Sequence, residues 1–410
     1  MNILLSAFAC GPNWGSEISV GWNFCRYLSK YCNVDVITEL GFKKDIEEYL
    51  SNNNYPNLKF YYIDIGKKGR DLFWKQGNWF FYIYYYMWQL RARDLAMRLM
   101  KENRYDILHH LNLVGFREPG FIWQLKKDNI KYVHGPVGGF AQFPISFIPE
   151  LRLGHAIYEI SRNAINKIQM RTHLRLRNAL IKSDLVLAST SIDVEVIKKY
   201  YGIESILFGE LGTDIFTADN IESKNTSEKL QIVWIGKYVP RKMLSIAIKA
   251  VGKAMEQEKL SFSIIGIENL FIPYVREMVI KYCNQDNVKI FPKIPNNEAL
   301  SILSASDVLL VSSLQEGISA VVMEALSLGK PVICHDVCGM HDFLTDNCSI
   351  RIAVKSPEYS IEQFSKAIIL LSKDRKFLNN LKIGARKRAE DLSWDNKIKK
   401  LLMLYESIVK

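Results

Sequence analysis

The stretch "DVLLVSSLQEGISAVVMEALSLGKPVIC", residues 307–334, reads as one strand–helix–strand unit. "DVLLV" (307–311) and "PVIC" (331–334) are short apolar runs suited to strands buried on both faces. Between them "SSLQEGI" is a loop, Ser319 stands at an N-cap position, and "AVVMEALSL" runs as a helix until Gly329 and Pro331 stop it. The helix is apolar nearly all round, so it is buried, yet it carries Glu324, and Glu316 stands in the loop before it. Both acids then fall near the carboxyl end of a parallel strand, where open α/β sheets bind ligands. The free amides of a helix start suit a phosphate, and a carboxylate beside an anion site accepts hydrogen bonds from hydroxyls such as those of a ribose or hexose. The plain alternative is that Glu324 pairs with a local Lys or Arg and Glu316 is solvated.

The same alternation continues along the chain. Before residue 212 the runs are 2–9, 34–38, 58–65, 106–111, 131–135 and 185–189; after 229 they are 231–236, 261–266 and 288–291, then the two already quoted. Between the two series lies "GTDIFTADNIESKNTSEK" (212–229), polar and rich in Asn, Ser and Thr, which reads as a linker. The expected fold class is α/β: two doubly wound, Rossmann-like parallel-sheet domains, 1–212 and 213–393, facing a central cleft. The tail 394–410 reads as an amphipathic helix returning toward the first domain. A length of 410 residues agrees with two cores rather than one.

Composition narrows the partners. Seven scattered cysteines form no secreted disulfide framework, which fits a reducing cytosol, and "MNILLSAFAC" lacks a basic leader. The most apolar stretch, "WFFYIYYYMWQL" (79–90), is shorter than a membrane span. A formal charge of +11 favours an anionic partner, but helix-turn-helix, zinc-finger and RNA-binding signatures are lacking, so nucleic acid is not expected. Between Ser161 and Ser183 six cations occur with no acid, and the spacing 167, 171, 175 predicts three on one helical face. Together with the aromatic segment 79–101 they read either as a peripheral surface for an anionic membrane or as a solvated basic face.

Three further segments carry chemistry. "IGKYVPRKM" (235–243) puts Lys237 and Lys242 at a strand-to-helix junction, a usual place for phosphate. "GPNWGSEISVGW" (11–22) opens a helix after the first strand, with Gly15 and Glu17 near its start; it is not the G-x-G-x-x-G of a dinucleotide site. "YVHGPVGGF" (132–140) ends a strand at His134, a position more often structural than catalytic. "CHDVCGMHD" (334–342) lacks a clear four-ligand set for zinc, and no D-x-D triplet occurs to bridge a metal to a diphosphate.

Taken together, "GSE" (15–17), "YDILHH" (105–110), "HGPVGG" (134–139), "GKYVPRKM" (236–243) and "EGISAVVMEALSLGKPV" (316–332) resemble, in order, the motifs of the family 4 retaining glycosyltransferases. These are group 1 enzymes of the GT-B fold, and "ELGTDIFTAD" (210–219) looks like the segment that opens their C-terminal domain. The resemblance implies retaining, metal-independent hexosyl transfer from a nucleotide diphosphate sugar, with no cofactor beyond that donor. The acceptor would be a glycan or lipid-linked, in cell-surface polysaccharide synthesis, and the enzyme cytoplasmic or peripheral on the inner face of the membrane. Glu316 would meet donor-sugar hydroxyls, Glu324 the ribose, and Lys237 and Lys242 the diphosphate, assisted by the amides of Gly317, Ile318 and Ser319. His134 would contact donor or acceptor, and the loop at Gly15 would close on the ligand. Lys237 stands where the family commonly has Arg, and Met243 where it usually has Gly. A nucleotide-sugar sensor, or a phosphorylase or epimerase of the same fold, remains the alternative.

Overall fold

The computed structural model describes residues 1–75, 78–113, 115–214 and 229–409, with Ser16 described by its backbone alone. Residues 215–228, which hold most of the expected linker and the end of the 210–219 segment, lie outside the described residues.

Strands β1 (Asn2–Ala7), β2 (Asn33–Glu39), β3 (Leu58–Ile63), β4 (Ile107–Asn112), β5 (Lys131–Val137), β6 (Leu185–Ala188) and β7 (Ile206–Leu207) form one sheet. Its order is β3-β2-β1-β4-β5-β6-β7. A second sheet contains β8 (Leu230–Ile235), β9 (Leu260–Ile267), β10 (Val288–Pro292), β11 (Val308–Val311), β12 (Val332–His335) and β13 (Ser349–Ile352), in the order β10-β9-β8-β11-β12-β13. The pairings are parallel throughout. All eleven runs read from the sequence are strands; β7 and β13, both at sheet edges, are additional. Two doubly wound α/β units result. In each, the chain winds outward from its first strand and then returns to that strand's other side, so the order reverses between β1 and β4 and between β8 and β11. Loops that leave two strands in opposite directions open a crevice at such a reversal.

The compact units are residues 1–140, 168–210 and 394–410, and residues 141–167 and 211–393. This differs from an unbroken first domain over 1–212, because segment 141–167 is tied to the second unit. Phe143 and Phe147, 1% and 0% exposed, sit in that unit's core, and Gln315 Nε2 donates to the Ala141 carbonyl at 2.8 Å. The helix Trp394–Val409 groups with the first unit, where Tyr405 meets His109 Nδ1 at 2.5 Å and Trp394 packs edge-on to Phe24.

Why the second unit holds its shape is visible in the helix Leu244–Met255. Leu244, Ala247, Ile248, Val251 and Ala254 recur at helical spacing and are at most 3% exposed, packed with the apolar faces of β8 and β9. Burial of each larger aliphatic chain stabilises by about 1.5–3 kcal/mol. The expected three-cation face is not formed. The helix Leu153–Thr172 ends before His173, whose Nδ1 accepts from Leu176 N at 3.0 Å and caps a separate helix, Leu174–Lys182. Arg175 therefore lies on another element from Lys167 and Arg171, and it is paired with Glu118 at 2.7 Å.

Candidate active site

The loop after β8 and the loop after β11 leave the second sheet on either side of its reversal. They are stapled together by Leu314 N donating to the Arg241 carbonyl at 2.9 Å, and by Ser312 Oγ donating to the Lys242 carbonyl at 2.7 Å. Arg241 Nη1 adds a bond to the Gln315 carbonyl at 3.1 Å. These backbone ties hold the side chains that follow.

Glu316 and Lys242 face each other across the two loops. Lys242 Nζ donates to both carboxylate oxygens, at 2.7 Å to Oε1, and Arg241 stands 3.5 Å from Oε2. The lysine and glutamate side chains are 12% and 15% exposed. Burial alone would raise the Glu316 pKa, but Lys242 and Arg241 outweigh it and hold the carboxyl below its ordinary range. Burial lowers the Lys242 pKa, with Arg241 adding to the effect and Glu316 opposing it. The result is a desolvated ion pair with a second cation beside it, a site with spare positive charge for an anion. Lys237, on the same loop, has its pKa lowered by burial and then by Lys293, while Glu268 opposes. Lys237, Arg241 and Lys293 thus form a cationic rim.

Glu324 lies on the helix Ala320–Ser327, just over one turn behind its start. Among the described residues no Lys, Arg or His lies within ion-pair distance of it, and its hydrogen-bonding neighbour is the amide of Asn296. Burial pushes its pKa up to about 7. A half-buried carboxyl without a cation is costly when ionised, and a hydroxyl donor supplied by a ligand would relieve the cost. Gly317 to Ser319 connect the two acids, and Ser319 occupies the N-cap position, though its side chain makes no capping bond. Their backbone is pressed from behind: a Cβ on Gly339 would lie 2.1 Å from the Gly317 carbonyl oxygen, and Gly339 N donates to the Glu316 carbonyl at 3.1 Å. Only glycine lets the segment at 339 approach the loop so closely.

Met243 accounts for the glycine expected at its position. Its backbone is left-handed, φ +46° and ψ +46°, at the start of the helix Leu244–Met255. A non-glycine residue there costs on the order of 1–3 kcal/mol. Here the side chain is 3% exposed in the core, and that burial offsets the strain.

The family model described as "Glycosyl transferases group 1" matches residues 216–388. Residues 216–388 are thus similar to the group 1 glycosyltransferases. A curated relative, the phosphatidylinositol N-acetylglucosaminyltransferase GPI3 subunit of Saccharomyces cerevisiae, is 23% identical over 154 residues, 37% of this chain and 34% of that protein. The match thus spans about a third of that relative's length. An uncharacterized 41.2 kDa protein in the cps region of Klebsiella pneumoniae is 23% identical over 268 residues, 62% of this chain and 66% of that one. Among solved structures, Anabaena HepE in complex with UDP and glucose superposes with a TM-score of 0.60 at 12% identity, covering 99% of this chain and 100% of that one. At that identity the likeness establishes the fold, GT-B.

Within residues 216–388, sequence reasoning placed Lys237, Lys242, Glu316, Gly317, Ile318, Ser319 and Glu324; these follow β8 and β11, and Lys242 bonds Glu316 across the two loops. It missed Arg241, whose signal was its place beside Lys242 in "PRKM", and Arg162, whose Nη2 donates to Gln315 Oε1. His134 and Gly15 belong to the first unit. His134 is 2% exposed inside β5, its Nδ1 2.8 Å from the Tyr132 hydroxyl and its ring stacked 5.5 Å from His110. Burial, with His110 and His109, drives its pKa well below the ordinary value. As placed, the ring is a neutral interior group rather than one open to a ligand. Gly15 follows β1, beside the reversal of the first sheet, and a Cβ added there would meet nothing within 4 Å. Among the described residues no group of three or more His, Cys, Asp or Glu is arranged to hold a metal ion. His335, from the "CHDVCGMHD" segment, is engaged with the Ser312 carbonyl and with Ser360 Oγ.

Proposed function

We propose that the protein transfers a sugar from a nucleotide diphosphate sugar to a glycan or lipid-linked acceptor, with retention at the anomeric carbon, in the synthesis of a surface polysaccharide. The observation that carries this is the Lys242–Glu316 pair with Arg241 beside it, set at the strand-order reversal of the second unit and flanked by an uncompensated Glu324. A diphosphate arriving there would draw Lys242, Arg241 and Lys237 to its oxygens, with the amides of Gly317 to Ser319 at the helix start. Glu316, released from Lys242, would then accept hydrogen bonds from the sugar, and Glu324 from the ribose. As the glycosyl–phosphate bond breaks, negative charge grows on the leaving diphosphate, and the preset cations stabilise it without reorganisation. The neighbour solved with UDP and glucose, and the relative in a cps region, support a nucleotide-sugar donor and a polysaccharide product.

Purified protein incubated with a panel of nucleotide sugars is expected to release free nucleoside diphosphate, faster with the right acceptor. Glu316→Ala should abolish that release while near-ultraviolet circular dichroism remains native. Turnover retained by Glu316→Ala would remove the central assignment, and binding of nucleotide sugar without any turnover would favour a sensor.

A further inference from the structure

The helix Leu153–Thr172 is patterned inside out. Its inward stripe is Glu159, Asn163, Asn166 and Met170, each no more than 9% exposed, while Leu153, Ile157, Ile160 and Ile168 project outward at 78%, 57%, 53% and 62% exposure. Both sets follow the spacing of one helical face, so the inversion belongs to the whole element. The inward polar groups are in use. Asn163 Nδ2 donates to the Phe143 carbonyl at 2.8 Å while its Oδ1 accepts from Phe143 N at 3.0 Å, and Glu159 pairs with Arg162 at 3.1 Å. Among the described residues none covers the outward stripe, and Lys167 and Arg171 stand along its C-terminal half. Glu159, the helix's one acid, faces inward at 2% exposure, so the outer face carries no negative charge.

We propose that this outward stripe is an interfacial anchor that rests on an anionic lipid surface. An apolar stripe edged by cations is the pattern by which a helix lies in the headgroup region. At 20 residues the element is ~30 Å long, and no described helix is long and apolar enough to cross a membrane. A second copy is the poorer occupant, because it would bring the same excess of positive charge, +11 per chain, to a face that already carries Lys167 and Arg171. The anchor is also wired to the site: Arg162, on the helix's inward side, holds Gln315, the residue before Glu316. Docking of the stripe would therefore place the β11 loop close to a lipid surface.

Flotation of the full chain with vesicles, without any sugar present, tests this independently of the donor assignment. Vesicles with roughly one third phosphatidylglycerol should bind the protein, neutral phosphatidylcholine vesicles should bind it weakly, and added salt should release it. The double substitution Ile157→Glu with Ile160→Glu is expected to weaken binding at least about tenfold, and Lys167→Gln with Arg171→Gln to flatten the salt dependence. Unchanged thermal melting of the variants controls for folding. Equal binding by the Ile variants, no binding to acidic vesicles by the parent chain, or a dimer in sedimentation that the Ile variants dissolve would each overturn the proposal.

Discussion

Replacing Glu324 with glutamine tests whether this acid waits for a ligand. The side chain keeps its shape and its reach to Asn296, but it can no longer ionise. In the folded protein the carboxyl titrates at about 7 against an ordinary 4.5, because burial disfavours the charge. Two and a half pH units at about 1.4 kcal/mol each amount to ~3 kcal/mol, and residual exposure makes about 1–3 kcal/mol the working range. The sign follows from proton binding. Between pH 4.5 and 7 the unfolded chain has lost this proton while the folded chain keeps it, so wild-type stability from this group falls as pH rises through that window. Glu324→Gln should therefore match the parent below about pH 4.5 and exceed it by about 1–3 kcal/mol at pH 8. Chemical denaturation across pH 4 to 8 reads the difference, while the same variant should bind nucleotide more weakly because an amide is the poorer acceptor for ribose hydroxyls. A variant no more stable than the parent at pH 8 would refute the reasoning, because it would mean that Glu324 has a compensating cation or is well solvated.

Other expectations are equally direct. Gly339→Ala places a Cβ 2.1 Å from the Gly317 carbonyl, so the backbone must move; a loss of about 1–3 kcal/mol in stability and a fall in turnover are expected, and an unchanged melting temperature would contradict the close approach. His110 is 3% exposed, and burial lowers its pKa to about 4 against the opposing effect of the Glu118 backbone. Between pH 6.5 and about 4 the unfolded state holds its proton and the folded state does not, so stability falls as pH falls. His110→Leu should reduce that slope by about 1.4 kcal/mol per pH unit, and an identical slope would show the ring to be solvated. Lys242→Ala should lower kcat on the order of 10²–10³-fold through loss of a cation at the leaving group, measured by steady-state assay, and a kcat within error of the parent would place the diphosphate elsewhere.

Most of the fold was legible because parallel strands buried on both faces are continuous apolar runs, a signal that needs no tertiary information. Two strands escaped. β13 is a four-residue edge strand, "SIRI", interrupted by Arg351, and β7 has only two residues, so neither makes a run. The candidate site was legible where spacing carries chemistry, as with Glu316 and Glu324. It was illegible where partners are far apart in sequence: nothing in "PRKM" says that Lys242 will pair with Glu316, 74 residues on. His134 marks a different limit. The resemblance implied a reachable ring, but whether a side chain is open or stacked on His110 is settled by packing alone. The inverted helix at 153–172 shows the same limit, because its periodicity identifies a stripe without saying which stripe turns inward.

On the proposed function the Lys242–Glu316 locus holds the diphosphate of a sugar nucleotide. Calorimetric titration of the parent chain and Lys242→Ala with UDP, and in parallel with the other nucleoside diphosphates, tests it most directly. One nucleoside diphosphate is expected to bind the parent chain, and Lys242→Ala to weaken it at least about tenfold, in step with the loss of one charge-assisted bond. Equal affinity in the two proteins, or no binding of any nucleoside diphosphate to the parent chain, would contradict it.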